Sequence, residues 1–94
     1  MSYMLRFLPE AKKEFDRLDS DLKKVFFKKL VKVLEEPRIE KSKLCGIKGC
    51  YKIKLRASGY RLAYKVDEED REVTVVAVGR RDDSEVYKSA RKRI

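Results

Sequence analysis

Residues 51–66 read Tyr-Lys-Ile-Lys-Leu-Arg-Ala-Ser-Gly-Tyr-Arg-Leu-Ala-Tyr-Lys-Val and alternate almost throughout. Tyr51, Ile53 and Leu55 fall on one side, and Lys52, Lys54 and Arg56 on the other. Side chains change face at every step of a strand, so this pattern predicts a half-buried strand. Ser58-Gly59 is a turn signal, because glycine accepts the positive φ that tight hairpin turns need. Arg61 to Val66 alternates again, with Leu62, Tyr64 and Val66 set against Arg61, Ala63 and Lys65. A two-residue loop at Ser58-Gly59 puts Arg56 opposite Arg61, Lys54 opposite Ala63 and Lys52 opposite Lys65. One face of the hairpin is then apolar, and the other carries five cations around one small residue. Like charges facing each other destabilise a ladder by roughly 0.2–1 kcal/mol per pair. Such a face is either simply solvated or built to receive a polyanion.

The remaining elements follow outward from the hairpin. Tyr3 to Leu8 reads as a first strand, ended by Pro9. Proline is tolerated in the first turn of a helix, so a helix is expected from about Pro9 to Leu18, with Ala11, Phe15 and Leu18 as its apolar stripe. Asp19 or Ser20 caps a second helix. Its apolar positions are Leu22, Val25, Phe26, Leu30, Val33 and Leu34, and Lys23, Lys24, Lys28, Lys29 and Lys32 lie on the other side. Basic residues opposite an apolar stripe are ordinarily solvated, and contact with RNA or DNA phosphates is the alternative. Glu35-Glu36-Pro37 ends this helix, since the residue before proline avoids the α region. So short a connection makes the two helices an antiparallel hairpin packed on the sheet. Arg38 to Gly49 is a loop with Leu44 and Ile47 as anchors, and Asp67 to Asp70 is an acidic turn.

Glu72 to Gly79 is the last strand. Val73, Val75, Val76, Ala77 and Val78 make it apolar on both faces, which predicts a central, doubly covered position. Asp82-Asp83-Ser84 is an N-cap cluster for a short helix to about Arg93, docked by Val86, Ala90 and Ile94. That helix is too short to be stable alone. The expected fold is α+β, a small antiparallel-rich sheet with element order β-α-α-β-β-β-α, a helical hairpin on one face and a short C-terminal helix. Residues 1–94 form one domain.

Composition narrows the chemistry. Net charge is +9 and the pI about 9.7, which favours an acidic partner. The excess is spread along the chain, 13 basic against 8 acidic residues in 1–50 and 12 against 8 in 51–94, so no part is a basic tail. The N-terminus lacks the continuous apolar core of a signal peptide, and nothing approaches a membrane span. Cys45 and Cys50 are the only cysteines and are read as reduced thiols of a cytoplasmic protein. Histidine is absent, which removes the commonest general base and makes four zinc ligands hard to assemble. No phosphate-binding glycine loop, metal cluster or activated Ser or Cys nucleophile is present. Neither a cofactor nor a metal is expected.

Lys, Arg, Tyr and carboxylates remain, and these suit RNA cleavage. RNA carries its own nucleophile, the 2′-hydroxyl. The protein must hold the in-line geometry, stabilise charge on the non-bridging oxygens and move two protons, and fixed cations are the largest catalytic contribution available. Lys52, Lys54 and Arg61 share one face of the hairpin, at alternate-residue spacings of about 7 Å, near that of successive phosphates. Arg56 and Lys65 extend the row. Arg81 sits just past the last strand, while Arg80 points elsewhere if the strand geometry persists. Tyr87, one position beyond Val86, is a candidate base, since nearby cations lower a tyrosine pKa. Packing with a wet tip is the plainer role for Tyr87, and a salt bridge the plainer one for Arg81. Tyr60 and Tyr64 look structural.

Three segments carry a family resemblance: Leu30-Val31-x-Val33-Leu34-Glu35-x-Pro37-Arg38-Ile39-Glu40, then Cys50-Tyr51-Lys52-Ile53-Lys54-Leu55-Arg56-x-Ser58-Gly59-Tyr60-Arg61-Leu62, and Ser84-Glu85-Val86-Tyr87. Together with the spacing to Arg81 and Tyr87, they make the chain resemble the RelE family of bacterial toxins, within the RelE/ParE superfamily, over essentially its whole length. The resemblance implies a ribosome-dependent endoribonuclease that cuts mRNA in the ribosomal A site through 2′-hydroxyl attack, leaving a cyclic phosphate. It implies that Lys52 and Lys54 help activate the nucleophile and bind phosphate. Arg61 stabilises the transition state. Arg81 does so too and can protonate the leaving oxygen. Tyr87 stacks on the mRNA base or acts as base. Arg56, Lys65 and Arg80 are assigned to RNA contact. The implied partners are a RelB-like antitoxin, which can displace the last helix, and the 70S ribosome with its 16S rRNA and A-site mRNA. Arg80 departs from a pattern that tends to have Lys there, and Cys45 is a second departure. A non-catalytic toxin resembling the gyrase-directed ParE branch, or a basic RNA-binding module, are the competing readings.

Overall fold

The computed structural model describes residues 3–37, 49–55, 59–80 and Lys92. In chain order these form β1 (Met4–Phe7), α1 (Pro9–Asp16), α2 (Ser20–Glu35), β2 (Cys50–Leu55), β3 (Tyr60–Asp67) and β4 (Glu72–Arg80). The expected α+β order is seen as far as β4. Lys92 is helical and exposed. The other positions of the expected last helix lie outside the described residues, as do Leu44, Cys45 and Ile47.

Pro9 opens α1, where its missing N–H costs nothing. This helix stops two residues before the expected Leu18. Arg17 is its C-cap, and Leu18 donates its N–H to the Phe15 carbonyl at 3.1 Å. Asp19 must be extended (φ −70, ψ 165) to cap α2, so the intervening residues go to the turn. The Asp19 carboxylate accepts the Leu22 N–H at 2.9 Å, which makes Asp19 the cap.

α2 buries Phe26, Leu30 and Val33. Val25 was expected in this stripe but is 43% exposed. At 100° per residue it lies a quarter-turn off Phe26, beyond the width of one buried face. Phe27 and Val31 are also exposed, so α2 carries more apolar residues than the core can take.

The sheet order is β1-β4-β3-β2, with β1 parallel to β4 and the other pairs antiparallel. β4 is interior, as its apolar character on both faces predicted. The main core joins Ala11, Phe15 and Leu18 with the α2 stripe and with Tyr51, Ile53, Leu55, Leu62, Tyr64, Val66, Val73, Val75 and Val78. Phe7 and Phe15 meet with ring centroids 5.2 Å apart. Cys50, Ala63, Val76 and Ala77 form a second buried cluster. Alternation puts Ala63 on the face opposite Leu62 and Tyr64. The extra residue is Val76: Ala63 pairs with Ala77 but Tyr64 with Val75, so β4 carries a bulge there.

Candidate nucleic-acid interface

The cationic face is the one opposite the face that packs on α1 and α2. The expected alternation holds, but the hairpin register does not. Leu55 pairs with Tyr60, so four residues, 56–59, connect the strands instead of two. Gly59 donates its N–H to the Leu55 carbonyl at 2.8 Å and has φ 75. Closing the loop with glycine in the left-handed region at its end needs positive φ there, which Gly59 supplies without strain. The pairs therefore shift by two residues. Lys54 faces Arg61, Lys52 faces Ala63 and Lys65 faces Cys50. A shift of two keeps every side chain on its face, and for that reason the faces were readable while the partners were not.

On the other side of β3, Arg61 pairs with Gly79, Ala63 with Ala77 and Lys65 with Thr74. Lys54, Arg61 and Gly79 make one transverse row, and Lys52, Ala63 and Ala77 the next. Ala63 and Ala77 are fully buried and form a floor of small side chains. Lys54 and Lys65 are exposed, while Lys52 and Arg61 are half-buried. The structure thus groups Lys52, Lys54 and Arg61 and sets Lys65 at the far end of the same face. The backbone of Arg80 pairs with Tyr60. The expectation for its side chain, and those for Arg56, Arg81 and Tyr87, lie outside the described residues.

Tyr64 is structural, as expected. Its hydroxyl donates to the Pro37 carbonyl at 2.9 Å, and its ring stacks on Tyr51 at 5.6 Å. Burial, with a smaller contribution from Tyr51, pushes its pKa well above the usual tyrosine value, so it stays protonated. Tyr60 packs against the main core. Cys50 is a free buried thiol, and burial raises its pKa although Lys65 opposes this. The thiol is therefore a poor nucleophile.

Asp67, Asp70 and Glu72 bring three carboxylate oxygens within 4.8 Å of one another. Two of these groups have local roles. Asp67 Oδ1 accepts the backbone N–H groups of Glu69 and Asp70, and Glu72 pairs with Arg6 at 3.1 Å. No described helix is long and apolar enough to cross a membrane.

Sequence reasoning missed Glu14, whose Oε1 accepts the Val78 N–H at 3.2 Å. The signal was present. Glu14 sits three residues after Ala11, on the buried stripe of α1, where an unpaired carboxylate would be costly.

The family model described as the ParE toxin of the type II toxin–antitoxin system, parDE, matches residues 5–85. The chain belongs to this toxin family. It is 54% identical to the mRNA interferase toxin RelE of Escherichia coli (strain K12), over all of this chain and 99% of that one. The mRNA interferase RelE of Shigella flexneri matches to the same extent. Among solved structures, a mutant of the E. coli toxin RelE in the free state superposes with a TM-score of 0.94 at 53% identity, covering 100% of this chain and 99% of that chain. RelE in the intact E. coli RelBE toxin–antitoxin complex matches with a TM-score of 0.83 at 52% identity, covering 84% of this chain and 96% of that one. The resemblance that rested on three segments therefore extends over the whole fold.

Proposed function

We propose that this chain is the toxin of a type II toxin–antitoxin system and acts as an endoribonuclease of the mRNA-interferase kind, cutting mRNA in the ribosomal A site. The observation that carries this reading is the facing pair Lys54 and Arg61, with Lys52 beside it over the Ala63–Ala77 floor. Full-length identity to proteins named mRNA interferase supports it.

The chemistry needs no bound cofactor. The 2′-oxygen attacks the adjacent phosphorus, the bond to the 5′-oxygen breaks, and a cyclic phosphate and a 5′-hydroxyl result. One proton leaves the 2′-hydroxyl and one reaches the 5′-oxygen. Lys52 and Lys54 bind the phosphate and help activate the nucleophile. Arg61 stabilises the charge that builds on the non-bridging oxygens. Arg81 shares that role and protonates the leaving oxygen. Tyr87 either stacks on the base or takes the proton. Arg56, Lys65 and Arg80 hold RNA outside the reacting phosphate. Messenger RNA and 16S rRNA supply the acidic partner for the charge of +9. An antitoxin similar to RelB neutralises the protein in the cytoplasm, in keeping with the antitoxin complex of its RelE relative.

Primer extension on a message translated by purified ribosomes tests this reading. The full-length chain should produce cuts at the A-site codon, and Arg81→Ala should lose them. An Arg81→Ala variant that cuts like wild type would sink the assignment of Arg81. Inhibition of DNA supercoiling with no mRNA cut would favour the ParE-like reading.

A further inference from the structure

β1 accompanies β4 only part of the way. Phe7 pairs with Val75, the Leu8 N–H donates to the Val75 carbonyl at 3.0 Å, and Pro9 then turns the chain into α1. β4 continues to Arg80, beside β3, as far as the pair Tyr60 and Arg80. Among the described residues no strand continues along its other edge. An open edge leaves backbone donors to be satisfied. Val78 is only 5% exposed, so water is a poor substitute there. The Glu14 carboxylate takes that N–H in place of the missing strand.

Position and chemistry both suit the task. Ala11 and Phe15, which flank Glu14 on the inward side of α1, are buried in the main core, so the docking of the helix sets where Glu14 begins. An ionised acceptor makes a stronger hydrogen bond than a neutral one. The bond also falls two residues past the extra residue Val76, where a bulge loosens the ladder and turns the strand. One residue further, Gly79 lies opposite Arg61.

We infer that Glu14 is a positioning residue, which ties the bulged end of β4 to α1 and so holds Gly79 and the backbone of Arg80 in register with Arg61 and Tyr60 of β3, beside Lys54. Its effect on cleavage rests on the proposed function, but the tie itself does not. The test uses the full-length chain as wild type, Glu14→Met, which keeps the stem and loses the acceptor, and Glu14→Gln, which keeps a neutral acceptor. Amide hydrogen exchange followed by NMR should show Val78 exchanging roughly tenfold faster or more in Glu14→Met relative to the amides of Ile53 and Leu62, with most of the protection restored in Glu14→Gln. On programmed ribosomes, kcat should fall about tenfold or more in Glu14→Met with KM little changed, and should recover in Glu14→Gln. Unchanged protection of Val78, an equal rise at all amides, or Glu14→Gln behaving like Glu14→Met would each overturn the inference. Wild-type protein that cuts no mRNA would overturn the proposed function instead, while exchange at Val78 would still decide the tie.

Discussion

Replacing Lys54 by methionine should separate the cost of the site from its use. Lys54 and Arg61 face each other directly across the ladder. Facing side chains in an antiparallel pair have Cβ atoms about 5 Å apart. Two unit charges as close as that in water would repel by about 0.8 kcal/mol, which is an upper bound because the charged ends of the long Lys54 and Arg61 side chains can swing apart. Screening with a Debye length of about 8 Å at physiological salt reduces this to about 0.4 kcal/mol. At 1 M salt, with a Debye length of about 3 Å, about 0.15 kcal/mol is left. Methionine keeps the apolar stem at this exposed position, so the salt dependence of the stability change isolates the repulsion from any other contact of the ammonium group. Lys54→Met should therefore raise Tm by no more than about 2–3 °C at physiological salt, and the gain should shrink in 1 M salt. The same change should slow single-turnover cleavage on programmed ribosomes by roughly 10²–10³-fold, the order expected when a group that binds the phosphate and helps activate the nucleophile is lost. Thermal melts at the two salt concentrations, alongside the cleavage rate, make the measurement. A variant less stable than wild type at both salts would refute the repulsion argument, and one that cleaves normally would remove Lys54 from the reacting phosphate.

Tyr64→Phe keeps the buried ring and its stack on Tyr51 but leaves the Pro37 carbonyl without its donor, and denaturant unfolding should show a loss of about 1–2 kcal/mol. The same variant carries a pH signature. Burial holds the Tyr64 proton in the folded chain, while the unfolded chain releases it near pH 10, so wild-type stability falls as pH rises through about 10. Tyr64→Phe should lose that part of the slope, and an unchanged alkaline branch would show that Tyr64 does not drive it. Two left-handed positions should respond differently in thermal melts. Gly59→Ala at φ 75 meets no atom within 4 Å and should cost about 1–2 kcal/mol through conformation alone, whereas Arg71→Gly at φ 53 should be neutral or stabilising.

Much of the fold was legible because local periodicity and global burial agree. Ala11, Phe15 and Leu18 are spaced for one helix face, and all three are buried. The run Val73 to Val78 is apolar at every odd and even position except Thr74, and only an interior strand covered on both faces tolerates that. Val25 was misread because the apolar residues of α2 outnumber the positions one face can bury. Periodicity alone does not say which of them lose that competition. The parallel pairing of β1 with β4 left no local mark, since it joins residues nearly 70 positions apart.

The candidate site divides in the same way. Alternation alone put Lys52, Lys54, Arg61 and Lys65 on one face, because a strand has a side-chain period of two and any even shift of register preserves it. Their partners depended on the loop. With the turn closed by Gly59 onto the Leu55 carbonyl, Arg61 came to face Lys54 and Ala63 to face Lys52. Glu14 shows the same limit over a longer distance. Its place on the inward stripe of α1 was visible in the chain, but its partner, the Val78 N–H, lies 64 residues away. Residue order therefore determined the elements, the faces and the kinds of side chain available for phosphate chemistry. Which cation faces which, and what holds the end of β4, were decided only by tertiary structure, because hydrogen-bond register and strand-edge closure are set by distant parts of the chain.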